Sequence, residues 1–211
     1  MTPEKLDLRK QYKHLYQPSA KTVSLVDVPP FKYIMIDGQI EPGKTPSDSP
    51  GFQDVMQALY GIAFTIKFNS KLRKENPLDF TVMPLEALWW VDEGEFDMAH
   101  PENWRWCGMI MQPDHIDQAM YQDGMAQMNK KKPSPALERV RFETFAEGLC
   151  MQVMHIGPYS AEAATVARMN EFARENGYVH NGKHHEIYLG DPRRTDPAKL
   201  KTVLRQPLRK G

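Results

Sequence analysis

Residues 84–90 read Pro84-Leu85-Glu86-Ala87-Leu88-Trp89-Trp90, and residues 184–189 read His184-His185-Glu186-Ile187-Tyr188-Leu189. Each stretch sets one carboxylate at the head of an apolar, aromatic run that alternates as a strand does. Two segments of one design predict a duplicated fold, and the pattern on either side agrees. In the first half, residues 31–38 are rich in β-formers and end on the turn pair Asp37-Gly38. Residues 51–68 form a helix, since Phe52, Val55, Met56, Leu59, Ala63 and Ile66 recur at spacings of three and four. Strands are expected over 80–91, with Pro84 at an edge or bulge, and over 104–112. In the second half, 140–157 reads as one long strand. Residues 160–176 follow as a helix with Ala163, Val166, Met169, Phe172 and Ala173 on one face and Gly177 as its cap. Strands over 185–189 and 201–208 complete it.

The order strand, helix, strand, strand thus occurs twice. Small markers keep the same order: Ile36-Asp37-Gly38 with His155-Ile156-Gly157, Glu86 with Glu186, and Gln112-Pro113 with Gln206-Pro207. The expected fold is α+β, a single domain over 1–211 with pseudo-repeats of about 20–132 and 136–211. An antiparallel sheet would carry a central cleft on a pseudo-twofold axis, where ligand pockets favour such junctions. Outside the repeats, residues 1–18 form a helical or irregular arm, 23–28 a strand and 40–50 a proline-rich loop. A helix begins at Asp114 or Asp117 and runs to Lys130. The run 130–135 is a hinge.

The chain has 211 residues, 41% of them apolar, which is enough for a globular core. Lys plus Arg equals Asp plus Glu at 27 each, so the basic excess of a nucleic-acid-binding surface is absent and none is expected as a partner. No apolar run has the length of a membrane span, and residues 1–16 lack the apolar stretch of a signal peptide. A cytoplasmic protein with Cys107 and Cys150 as free, packed thiols is expected. Thirteen methionines read mainly as core. Trp89, Trp90, Trp104 and Trp106, on two candidate strands, fit the lining of a cavity.

Alternation puts Glu186 and Tyr188 on one face of their strand and His185, Ile187 and Leu189 on the other. It puts Glu86, Leu88 and Trp90 on one face of the earlier strand and Ala87, Trp89 and Val91 on the other, leaving both Trp89 and Trp90 as cleft candidates. A carboxylate among aromatic rings serves as a general base or as the counter-charge of a cationic ligand. The sequence is compatible with both for Glu186, and also with an exposed carboxylate paired to an arginine. His180, His184 and His185 do not make a metal site, because Asn181-Gly182 breaks the helix that such spacing needs and adjacent histidines on a strand point apart. No metal and no phosphate loop is expected.

The segments 84–90, His155-Ile156-Gly157-Pro158-Tyr159 and 185–194, continuing through 197–207, resemble the GyrI-like proteins, in particular their free-standing single-domain branch. The opening Lys13-His14-Leu15-Tyr16-Gln17-Pro18-Ser19 is similar as well, so the resemblance covers nearly the whole chain. It implies the duplicated fold with a central hydrophobic cleft, a bulky aromatic or cationic small molecule as partner, and no cofactor. Relatives bind bulky drugs, serve as effector domains of regulators or protect gyrase, and one branch resembles cyclopropanoid hydrolases that open the strained ring of DNA-alkylating toxins. On this resemblance Glu186 and Tyr188 are the catalytic candidates, Glu186 as base and Tyr188 or Tyr159 as donor. Trp89, Trp90, Trp106, Tyr159, His155 and Glu86 are the ligand-binding ones.

Overall fold

The computed structural model describes residues 5–211 apart from Pro42, Ser47, Glu95, Met98, Ala99, Pro101, Glu102 and the side chain of Gln53. Two short helices, α1 (Leu8–Gln11) and α2 (Lys13–Tyr16), open the chain. They are followed by β1 (Ser24–Val28), β2 (Phe31–Gln39), α3 (Pro50–Leu72), β3 (Glu86–Trp90), β4 (Arg105–Gln112), α4 (Gln118–Lys131) and α5 (Pro135–Glu138). Then come β5 (Arg141–Phe145), β6 (Gly148–Ile156), α6 (Glu162–Glu175), β7 (Tyr178–His180), β8 (His184–Tyr188) and β9 (Lys201–Lys210). The class is α+β, as expected. The repeated order is β2-α3-β3-β4 and β6-α6-β8-β9.

The caps explain where the helices start. Ser49 Oγ accepts from Phe52 N–H at 3.2 Å and Pro50 fills the first helical position, so α3 begins there and runs on to Leu72. Asp117 is the N-cap of α4, accepting from Met120 N–H at 2.8 Å. The strand expected over 140–157 is two strands. Gly148, at φ 68°, turns the chain between β5 and β6, a conformation that suits glycine. The strand expected over 80–91 is confined to Glu86–Trp90, because residues 79–81 pair instead with the arm: Leu6 N–H donates to Asp79 O and Thr81 N–H to Leu6 O.

The sheet is antiparallel with nine strands, in the order β1-β6-β9-β8-β3-β4-β2-β5, and β7 pairs with the end of β9. The halves therefore meet edge to edge along β3 and β8, where Ala87 opposes Glu186 and Trp89 opposes His184. Each half also lends an outer strand to the other. β1 precedes β2 in the chain but pairs with β6, and β5 precedes β6 but pairs with β2. This exchange ties the two halves into one sheet.

Both repeat helices lie on one face. A side chain at Gly108 would meet Met56 and Leu59 of α3, and His155 bonds to Thr165 of α6. The core under α3 is built from Ile34, Ile36, Leu59, Ile62, Ala63 and Ile66, all fully buried. A smaller cluster under α6 contains Met151, Val153, Met169 and Leu204. The opposite face is covered by the arm, with Leu15 and Tyr16 buried against it. Among the described residues no helix is long and apolar enough to cross a membrane. Cys107 and Cys150 are free and buried.

Candidate functional site

Strand pairing decides which residues share a face. Ala87, Trp89, Glu186, Tyr188 and Thr202 alternate onto the helix-bearing side, since Ala87 opposes Glu186 and Tyr188 opposes Thr202. Trp89, not Trp90, is therefore the indole of the seam. Its Nε1 donates to the Tyr188 hydroxyl at 3.1 Å, so residues from the two halves join above Ala87 and Glu186. A small residue at Ala87 leaves room for the indole to lie across the seam.

An aromatic panel extends from Trp89. Its ring lies 5.3 Å from Trp104 and 5.6 Å from Phe52; Phe96 is 4.8 Å from Trp104 and stacks on His184 at 5.6 Å. From the other side, the turn Tyr159–Ala161 brings Tyr159 edge-on to Tyr188, with ring centres 5.6 Å apart. His155 shapes that turn. One ring nitrogen lies 2.9 Å from Thr165 Oγ1 and the other 3.2 Å from the Pro158 carbonyl, which accepts from it. His155 is buried beneath the turn and positions Tyr159.

Glu186 is 5% exposed, and its carboxylate lies 3.6 Å from His184 Nε2. A second carboxyl group joins it. Glu162, the first residue of α6, is 1% exposed, and its Oε1 has no hydrogen-bond partner among the described residues. Burial pushes the Glu162 carboxyl up to about 9 and the Glu186 charge adds to the shift; Thr202 pulls weakly the other way, without a well-aligned bond. The tyrosines register the same field. Tyr188 is raised well above the usual phenol range by burial, then by Glu186 and Glu162. Tyr159 is pushed up to about 12 by burial, then by Glu162 and Glu186. The site therefore holds two neutral phenols and a pair of carboxyl groups beside an aromatic wall.

His155 lies under the turn, and two further expected ligand-binding residues, Glu86 and Trp90, lie on the other face of the sheet. Glu86 faces the opposite side of the sheet, because a one-residue offset along a strand reverses the face. There its carboxylate lies 3.1 Å from His185 Nε2 and accepts from the Tyr16 hydroxyl at 2.8 Å. His185 Nδ1 reaches Glu147 at 3.0 Å, and Glu147 pairs with Arg205 at 3.0 Å. Arg205 in turn donates to Leu15 O at 2.9 Å and to Gln152 Oε1 at 3.2 Å. All four charged groups of this network are buried, and it fastens the arm to the sheet. Trp90 is on that face too, half-buried under Lys183 Nζ at 3.3 Å from its ring centre, and lines a separate recess of about 480 Å³ with Arg105 and Arg139. Trp106 is on the helix side, wedged between Gly38 and Phe52, and is 2% exposed, as is Trp89.

Residues 21–209 match the model of the GyrI-like small molecule binding domain. The chain belongs to this GyrI-like family. No curated protein matches it. Among solved structures, an uncharacterized conserved protein from Listeria innocua is 37% identical, with a TM-score of 0.88 over 97% of this chain and 100% of that one. A hydrolase from Listeria innocua is 36% identical, with a TM-score of 0.81 over 97% of this chain and 100% of its own. The C-terminal domain of EcmrR shares the fold at 11% identity, with a TM-score of 0.54 over 90% of this chain and 98% of that one. As a GyrI-like domain, the chain is a small-molecule-binding protein.

The sequence reading missed Glu162, Phe96, Phe52 and His184. For Glu162 a signal was present: residues 162, 165, 169 and 173 are the buried stripe of α6, so a carboxylate occupies a core-facing position of an amphipathic helix. Ala163, expected on that stripe, is exposed.

Proposed function

We propose that this protein hydrolyses cyclopropanoid DNA-alkylating toxins or similar flat aromatic electrophiles in the cytoplasm, without a cofactor. The observation that carries the reading is Glu186: a nearly buried carboxylate beside the Tyr188 hydroxyl, at the edge of the panel formed by Trp89, Trp104 and Phe96. The 36%-identical hydrolase from Listeria innocua, aligned over nearly the whole chain, supports it.

A flat conjugated ring system stacks on the rings that stay partly exposed, Tyr159, Tyr188, Phe52 and Phe96, with Trp89 and Trp104 buried behind them. Glu186 accepts a proton from a water aimed at the strained ring carbon. As the carbon–carbon bond of the cyclopropane breaks, its electron pair flows into the conjugated carbonyl. The hydroxyl of Tyr188, held in place by Trp89, or that of Tyr159, donates to the oxygen where the charge gathers. Both phenols keep their protons at neutral pH, as a donor must.

A second reading, sequestration of cationic aromatic drugs without turnover, is favoured by the same carboxyl pair. Rings and a negative charge bind a flat cation by cation–π attraction and ion pairing. The deciding experiment is incubation with a cyclopropanoid alkylator and mass detection of a water adduct. An adduct formed faster than in buffer supports hydrolysis; binding with no adduct leaves sequestration.

A further inference from the structure

The far face of the sheet carries a second aromatic surface, and the charge around it is opposite in sign to that of the cleft. We propose that the recess beside Trp90 is a separate binding site for a small planar anion, an aromatic ring bearing a carboxylate or phosphate group. Trp90 is the platform for the ring, and Arg139 and Lys183 are the partners of the charge. The site is independent of the hydrolase reading above.

Strand register builds the recess. Trp90 opposes Arg105 across β3 and β4, and Arg105 opposes Gln39 across β4 and β2, so these three side chains form one row across the sheet. Asp37 lies two residues before Gln39 on the same face of β2. Arg139, two residues ahead of β5, and Asp92, two residues past Trp90, complete the lining. The recess measures about 480 Å³, inside the range of about 300–1,000 Å³ common for small-molecule sites.

Ion pairing decides which charge is left over. Arg105 sets Nε and a terminal nitrogen against Asp92 Oδ2, each at 2.8 Å. Arg141 takes both oxygens of Asp37, at 2.8 and 3.0 Å, and reaches Glu143 at 3.1 Å. Each aspartate of the recess is thereby matched by an arginine. Arg139 and Lys183 are not matched. Arg139 reaches only the Asp37 carbonyl, at 3.4 Å, and Lys183 Nζ stands 3.3 Å from the centre of the Trp90 ring. Among the described residues neither has a carboxylate within ion-pair distance, and both are exposed.

An aromatic anion supplies what both cations lack. Its ring extends the apolar contact over the half-buried indole. Its charged group takes parallel N–H bonds from the guanidinium fork of Arg139 and pairs with the ammonium of Lys183. A cationic aromatic, which the Glu186 side of the sheet would attract, is repelled here. The two faces therefore sort flat ligands by the sign of their charge.

The test titrates the full chain with 2-naphthoate and with its neutral counterpart 2-naphthamide. Calorimetry gives the affinities, and the indole N–H signals in heteronuclear NMR give the place. The Trp90 signal is assigned by its loss in Trp90→Phe. Naphthoate should bind and move the Trp90 signal. Naphthamide should bind about tenfold more weakly or worse, the size of one charge-assisted hydrogen bond. Arg139→Gln and Lys183→Gln, both at exposed positions, should each weaken naphthoate by about the same tenfold factor. Glu186→Gln, on the other face, should leave naphthoate affinity unchanged. Absence of naphthoate binding at millimolar concentration overturns the inference. So does wild-type affinity in both charge variants, or a shift that spares the Trp90 signal and moves that of Trp89.

Discussion

Trp89 donates its indole N–H to the Tyr188 hydroxyl at 3.1 Å across the seam where the two halves of the sheet meet. The bond occupies the phenol's acceptor side and leaves its proton for the neighbouring Glu186 carboxylate. A single contact thus links the duplicated fold to the orientation of the donor.

Trp89→Phe keeps an aromatic ring in the panel and removes the donor. Loss of one hydrogen bond of this kind costs about 1 kcal/mol of stability. The free tyrosine then samples other rotamers, so turnover should fall about tenfold while affinity for a neutral flat ligand changes by less. Steady-state kinetics beside fluorescence titration checks this split.

The Glu86–His185–Glu147–Arg205 network predicts a fold that is sensitive to acid. Burial opposes the charge on Glu147, but His185 and Arg205 outweigh it and hold the carboxyl at about 2. A depressed carboxylate contributes stability above its unfolded value near 4.5 and loses it as pH falls toward 2. His185 behaves in the opposite sense. Burial disfavours its charge, but Glu147 and Glu86 raise it above 6.5, so its contribution is complete below 6.5 and fades as pH rises through the raised value. Glu147→Gln leaves Arg205 and His185 short of a partner and should cost about 3–5 kcal/mol. Thermal melts from pH 2 to pH 8 should show the wild-type acid limb flattened in this variant.

Glu162 predicts the reverse sign. Its carboxyl is raised to about 9 from 4.5, so the folded state holds a proton that the unfolded chain releases. That contribution is complete below 4.5 and is lost as pH rises through about 9. Glu162→Gln, neutral at every pH, should therefore gain on the wild type as pH rises, by on the order of 2–4 kcal/mol at pH 8. Urea unfolding at pH 4 and pH 8 measures the difference.

Cys107 and Cys150 should both titrate as free thiols after denaturation without reductant. In the native protein, burial pushes the Cys107 thiol up to about 12 and also raises that of Cys150. Both should therefore react slowly with a thiol reagent at pH 8 until the chain unfolds.

Much of this architecture was legible because strands announce themselves by alternation. The runs at 84–90 and 184–189 gave the two central strands and the face shared by Glu186 and Tyr188. What alternation does not give is pairing. The match of Glu86 to Glu186 is offset by one residue from the true relation, which places Glu86 beside His185 on the far face. The exchange of β1 and β5 between halves is likewise a long-range pairing with no local mark. Glu162 escaped for another reason: a glutamate in the first turn of a helix ordinarily faces water and the positive helix end, and only its place on the buried stripe of α6 separates it from that case.

The central claim is that Glu186 activates water, and one substitution tests it most directly. Glu186→Gln preserves the shape of the cleft and removes the base. Turnover of a cyclopropanoid alkylator should fall about 10²-fold or more, while binding of one neutral and one cationic aromatic ligand, measured by tryptophan quenching, changes little. Hydrolysis at the wild-type rate in Glu186→Gln, or a loss confined to cationic ligands, would contradict the account and leave Glu186 as a counter-charge or a bystander.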